Sequence, residues 1–218
     1  LDPEIQNTLR EARWTGELPA ATGDFLTVID ANLASLKSDP AVSRRIEYAV
    51  HPSADGLLQA RVAVTYDHHG TFDWKTTRYR TFTRVYAPSG SRLLSVQGAM
   101  ENDRLLDPSG RAGEAQISEE GGFAVFGAFI SIEPGTSKTL AFTYELPVGL
   151  AERIKNGEEY ALTVLKQAGT AGHPLTLDLQ FDKNVRYAVP AEESREWGNE
   201  RYRISTDLRV DREFVVRF

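Results

Sequence analysis

Cysteine is absent from the chain, which excludes disulfide staples and thiolate chemistry and fits a cytosolic protein as well as a bacterial surface protein that does without bridges. Long apolar runs are missing too. None approaches the roughly 18 residues that carry a helix across a bilayer, and no secretory leader opens the chain. Lysine and arginine number 25 against 31 acids, for a formal charge of -6 and a pI near 5.3. The bases are scattered rather than gathered into a stripe, so nucleic acid is not an expected partner. No phosphate-cradling glycine motif, G-x-S-x-G elbow, heptad or internal repeat is present. No cofactor and no catalytic residue are therefore expected.

What the chain does have is the composition of an ordinary globular protein, 41% hydrophobic and 26% charged over 218 residues. A body of that length buries roughly 70% of its unfolded surface and needs no staples. The 17 glycines and 10 prolines are spread along the chain, as punctuation between many short strands. The first residue is Leu1 rather than Met, which reads as a piece of a longer protein.

Asp2-Pro3 makes a helix start, and Ile5, Leu9 and Ala12 follow on one face, predicting a short helix over 3–13. Residues 1–23 read as helix and linker, the tail of an upstream region, and 24–218 as one β domain. Residues 24–36 satisfy both a helical stripe and a strand, and 25–30 are read as strand, with Asp30 and Asn32 opening the turns beyond it. Period-two alternation is then plain in Ile46–Val50, Leu58–Tyr66, Leu140–Leu146, Tyr160–Val164 and Leu175–Phe181. Phe123–Ile132 is apolar on both faces, as a covered central strand requires. Tyr79–Gly98 reads as a hairpin about Pro88-Ser89-Gly90-Ser91, and Leu208–Phe218 as a closing hairpin. Turn signals such as Asp55-Gly56, Gly121-Gly122, Pro134-Gly135 and Asn156-Gly157 divide about nine or ten strands. The expected fold is all-β, a two-sheet antiparallel sandwich with a short N-terminal helix, and with irregular stretches at 101–119 and 190–200.

Five local patterns carry a likeness: GDFLTVIDANLASLKSD at 23–39, DWKTTRYRTFTRVYAPSGSRLLSVQG at 73–98, GGFAVFGAFISIEPGTSKTLAFTYELP at 121–147, YALTVLKQAGT at 160–170 and TDLRVDREFVVRF at 206–218. In this order they resemble the C-terminal β-rich part of a bacterial membrane-anchored family, the domain of unknown function numbered four thousand and twelve. The likeness covers residues 14–218. It implies a β-sandwich end domain, an extracytoplasmic cell-surface address and, in the full-length protein, a membrane anchor. The family's N-terminal membrane helix and the block that precedes these motifs are not in this chain. No reaction follows, since none is assigned to the family.

Candidate sites are few. Asp67-His68-His69 with Asp73 is the densest ligand-capable cluster. Neighbouring histidines on a strand point to opposite sides, however, so a hairpin tip ending at Gly70 is the plainer reading. Glu101, Asp103, Asp107, Glu114, Glu119 and Glu120 make the long loop acidic. A glycosidase needs two such carboxylates about 5–10 Å apart in a cleft, and a calcium loop needs regular alternation about a glycine. Ser89, Ser91 and Ser95, and His51 and His173, show no nucleophile–base pairing. Aromatics are the better lead, although rings that plug the ends of the sandwich as satellite core are the plainer reading of them. Trp14, Trp74, Trp197, Phe72, Tyr79 and Tyr202 fall in or beside turns, and exposed rings stack on sugars or anchor protein partners. Arg80 and Arg84 share a strand face with Phe82 and Tyr86, a mixed face suited to docking or to pairing with Glu145 or Asp178. Trp74, Tyr79, Arg80, Arg84 and Trp197 are thus the expected binding residues. The function so implied is a non-catalytic envelope module contacting a cell-wall glycan or another envelope protein. A hydrolase of surface polysaccharide or peptidoglycan is the alternative, and a structural spacer a third.

Overall fold

The computed structural model describes residues 2–11, 17–20, 22–33 and 36–218. Helix α1 (Pro3–Glu11) begins as its sequence predicts, the Asp2 carboxylate accepting the Glu4 amide at 2.8 Å. The remainder of the predicted helix, and Trp14, lie outside the described residues.

The strands are β1 (Asp24–Asn32), β2 (Val42–Pro52), β3 (Leu58–His68), β4 (Tyr79–Pro88), β5 (Arg92–Gln97), β6 (Gln116–Glu120) and β7 (Phe123–Ile132). They continue as β8 (Ser137–Glu145), β9 (Tyr160–Leu165), β10 (Pro174–Gln180), β11 (Tyr187–Val189), β12 (Arg201–Asp207) and β13 (Arg212–Arg217). One further helix, α2 (Val148–Lys155), turns Leu150, Ala151 and Ile154 into the interior.

Two sheets pack face to face. The first has the order β11-β13-β9-β1-β4-β7-β6 and the second β12-β10-β2-β3-β8-β5. The protein is thus the all-β sandwich its periodicity predicts. Each sheet is mixed, because β1 runs parallel to β9 and β2 parallel to β10 while the other pairs are antiparallel. The inward residues of the long strands alternate as their spacing requires, as in Leu58, Ala60, Val62, Val64 and Tyr66 of β3, all buried. Fully burying one such large apolar side chain is worth about 1.5–3 kcal/mol. A smaller cluster of Phe25, Tyr86, Phe123 and Val125 covers the outer side of the first sheet, with Leu18 packed on it. Gly127 stands where an added Cβ would lie 2.5 Å from the Phe82 ring, so this strand glycine marks close packing.

Two expected hairpins are not hairpins. The turn at Pro88–Ser91 exists, with the Ser91 amide donating to the Pro88 carbonyl and Gly90 at φ +83°. Both edges of β4 are already occupied, by β1 and β7, so β5 crosses to the second sheet and pairs with β8. Likewise β12 pairs with β10 in the second sheet while β13 pairs with β9 and β11 in the first. Among the described strands only β2–β3 and β6–β7 are consecutive neighbours in one sheet. Asp30 does not open a turn either. It lies inside β1, on the inward face, and is buried.

Candidate contact site at one end of the sandwich

β3 ends, and β4 and β8 begin, at the same end of the sandwich, as the pairings Val42↔His68, Asp67↔Ser137 and Tyr79↔Ile132 require. The connection from β3 to β4 is held there by backbone and side-chain bonds. The His68 amide donates to Thr136 O and the Gly135 amide to His68 O, at 2.9 and 2.8 Å. The buried His68 ring accepts the Gly70 amide on Nδ1 (3.1 Å), so Nε2 carries the proton and donates to Thr77 O at 2.8 Å. Ser38 from the neighbouring loop bonds both the N–H and the carbonyl of Thr77, each at 3.2 Å. Asp73 closes the turn by accepting the Lys75 and Thr76 amides at 2.7 Å each, and these bonds hold its carboxyl below the usual range.

At the tip of this well-tied loop Trp74 is 81% exposed and Phe72 57%. A cation accompanies each ring: Lys75 Nζ lies 4.7 Å from the Trp74 centroid, and the Arg78 guanidinium 5.0 Å from that of Phe72. Arg78 is itself anchored to Glu133 at 2.7 Å. Leu33 and Leu36 of the adjacent loop are exposed as well, at 54% and 40%.

The other expected binding residues do not gather here. Trp197 is 38% exposed, but it precedes β12, which starts beside Gln180 at the opposite end. Tyr79 is buried, its Oη accepting from Arg44 Nη2 at 3.0 Å, and burial pushes its phenol up. Tyr202 is buried too and donates to Pro190 O. Arg80 and Arg84 do share the outer face of β4 with Phe82 and Tyr86, all set by the alternation of that strand. Their partners are Asp103 at 2.8 Å and Glu120 at 3.2 Å. The acids expected for them are engaged elsewhere, Glu145 by Arg92 and Asp178 by Arg201 and Arg203, because both lie on the second sheet.

The ligand-capable residues of β3 are also dispersed. Asp67 pairs with Arg45 at 2.9 Å, and His69 Nε2 shares a hydrogen bond with Ser43 at 2.8 Å. His68 turns inward as described rather than standing in a solvated tip. Among the described residues no group of three His, Asp or Glu could hold a metal ion. In the long loop, Asp103 accepts the Leu105 amide at 2.7 Å and Asp107 the Arg111 amide at 2.8 Å. These acids bind the loop's own backbone.

Spacing arguments missed the interior altogether. Asp24 of β1 is buried and accepts hydrogen bonds from Tyr48 at 2.5 Å, from Tyr160, and from the Phe25 amide at 2.7 Å. Burial pushes its carboxyl up to about 6, against the pull of those donors. Asp30, further along β1, faces Arg44 Nη1 at 2.8 Å and accepts from Tyr66 and Thr83 at 2.7 Å each. The available signal was parity. Asp24 and Asp30 share the even face of β1 with the buried Leu26 and Val28.

An open cleft of about 850 Å³ lies at the opposite end, bordered by Pro88, Gly121, Phe123, Pro147, Leu150 and Arg153. The Arg153 guanidinium donates to Thr22 O and pairs with Glu158.

No protein-family model and no curated protein matches the chain. Among solved structures, a protein described as nutrient-binding from Legionella pneumophila is similar at a TM-score of 0.42 and 7% identity, over 89% of this chain and 72% of that one. Leukotriene A4 hydrolase of Saccharomyces cerevisiae is similar at 0.37 and 8%, over 96% of this chain and 32% of its own length. An M1 zinc metallopeptidase of Deinococcus radiodurans gives 0.31 and 10%, over 86% and 45%.

Proposed function

We propose that the chain is a non-catalytic contact module of a bacterial cell-envelope protein, working outside the cytoplasm in a full-length protein that is membrane-anchored. The motif likeness supports the address, and the aromatic tip supports the role. The observation that carries it is Trp74, a large ring exposed on a loop that at least nine hydrogen bonds tie down. Such a loop does not gain by folding its ring away. It presents the ring, and aromatic anchors on preordered backbone lose little entropy on binding. Of the six acids a surface hydrolase would draw on, Glu101, Asp103, Asp107 and Glu120 are each paired with a neighbouring arginine, which supports contact over catalysis.

Co-sedimentation of the purified chain with isolated bacterial envelopes tests the role. Wild type is expected in the pellet, and Trp74→Ala in the supernatant with its thermal unfolding unchanged. Equal pelleting of the two proteins would remove Trp74 from the contact and the proposal with it.

A further inference from the structure

We infer that Asn156 is a site of spontaneous backbone modification: the Gly157 nitrogen displaces its side-chain amide, and water reopens the resulting ring to aspartate and isoaspartate. The inference is independent of the contact role and stands on the way α2 ends.

The asparagines are Asn7, Asn32, Asn102, Asn156, Asn184 and Asn199, and of these only Asn156 is followed by glycine. Glycine is the successor that hinders the attack least, having no Cβ beside its nitrogen and the widest backbone freedom. The fold requires the pair to stand there. Helix α2 ends in a Schellman motif, the Gly157 amide donating to Ile154 O and the Glu158 amide to Arg153 O, each at 3.0 Å. Gly157 takes φ +87°, the left-handed geometry this motif places just past the helix. Helix termination therefore sets a glycine beside Asn156. The Asn156 side chain is exposed and makes no hydrogen bond among the described residues.

The other asparagines are better protected. Asn32 donates to Leu36 O and Asp39, Asn102 accepts the Asp103 amide, and Asn199 bonds Glu196 O and the Arg201 amide. Asn184 precedes the β-branched Val185, whose amide is held by Asn199 O at 2.7 Å. Asn7 lies within α1.

The chemistry needs only water and hydroxide. The Gly157 nitrogen gives its proton to hydroxide and attacks Asn156 Cγ, forming a C–N bond. The Cγ–Nδ2 bond breaks, and ammonia leaves with a proton from water. Water then adds to one carbonyl of the cyclic imide. Opening at Cγ yields aspartate, and opening at the backbone carbonyl yields isoaspartate. Attack requires the Gly157 amide to leave Ile154 O, so the rate follows opening of an exposed last turn, which opens more readily than the sheets. Lys183 Nζ restrains that opening by holding the carbonyls of Ile154 and Lys155 at 2.7 and 2.9 Å. Isoaspartate lengthens the backbone by one carbon, so the two amide bonds of the motif cannot both keep their register. Either product adds negative charge at the negative end of α2, on the wall of the cleft that Asn156 borders.

Incubating the folded chain in heavy-oxygen water at mildly alkaline pH, then mapping its peptides by mass, tests the inference. The Asn156 amide is expected to be lost before that of any other asparagine, with heavy oxygen incorporated and isoaspartate revealed by an isoaspartyl methyltransferase. The rate is expected to rise roughly tenfold per pH unit, because the attacking nitrogen must lose its proton. It is expected to run about tenfold slower than in the urea-unfolded chain. Asn156→Gln is expected to abolish the methyltransferase signal. Amide loss confined to the unfolded chain overturns the inference, as does another asparagine reacting first. Aspartate without isoaspartate would mean direct hydrolysis that bypasses Gly157, and overturns it too. A methyltransferase signal that survives Asn156→Gln arises elsewhere, at a pair such as Asp55-Gly56, and overturns the assignment to Asn156.

Discussion

Asp24 and Asp30 occupy the same strand and the same inward face, and both are buried between the sheets. Around Asp24 the facing groups are phenols, Tyr48 from the second sheet and Tyr160 from the first, together with the Phe25 amide. Among the described residues no cation pairs with it, and desolvation carries its carboxyl up to about 6. Around Asp30 the second sheet supplies a guanidinium, Arg44, with both side chains almost wholly buried. Tyr66, Thr81, Thr83 and Gln167 stand around it as well, Gln167 clamping the Asp30 backbone through its N–H at 3.0 Å and its carbonyl at 2.9 Å. One strand thus solves the same problem twice. A buried carboxylate is tolerable beside a matched cation, or as an acid able to keep its proton.

Breaking the ion pair is expected to have the largest effect. Arg44→Met strands Asp30 in the interior and is predicted to cost about 3–5 kcal/mol in urea unfolding. Adding Asp30→Asn removes the stranded charge and should return a large part of that loss. A double variant no better than Arg44→Met would mean that the pair matters for packing rather than charge. Next in size is the pH response of the other tier. Asp24 titrates at about 6 in the folded chain against an ordinary 3.8, so between those values the native state holds a proton that the unfolded state has released. Its stabilisation is therefore full below about pH 4 and is lost as pH rises through about 6. The gap corresponds to about 3 kcal/mol. Asp24→Asn cannot titrate, and the difference between wild-type and variant unfolding free energies, followed from acid to neutral pH, should trace that loss. A flat difference would mean that Asp24 titrates near its ordinary value.

How these tiers arose was partly readable in the chain. Alternation in Ile46–Val50, Leu58–Tyr66 and Leu175–Phe181 reports burial directly, and the sandwich follows from it. The partner of each strand does not, because a turn such as Pro88–Ser91 has the same residues whether the chain returns along its own edge or crosses to the facing sheet. Only the occupancy of β4 by β1 and β7 decides that, and it depends on strands distant in sequence. The contact tip was half legible. Trp74 stands out as a turn-borne ring, but the bonds that present it come from Ser38, Thr136 and a buried His68 that spacing had read as solvated. The interior acids are visible only as parity violations, and Asp30 reads equally well as the opening of a turn. Inward tyrosines on β2, β3 and β9 were the complementary signal, since a buried phenol needs an acceptor.

The smallest expected effect gives the sharpest test of the contrast. Tyr160→Phe and Tyr66→Phe each delete one phenol hydroxyl from a buried carboxylate, and each is predicted to cost about 1 kcal/mol. Their pH behaviour should nevertheless differ. The Tyr160 hydroxyl pulls Asp24 downward against burial, so its loss lets the folded value climb, and the loss of stability with rising pH begins at the same pH but grows larger and runs on to higher pH. The Tyr66 hydroxyl, by contrast, donates to Asp30 and does not reach Asp24. The Tyr66→Phe profile should therefore run parallel to wild type. A shift of the same size in Tyr66→Phe would show that the pH response is not confined to Asp24 and its own hydroxyl donors.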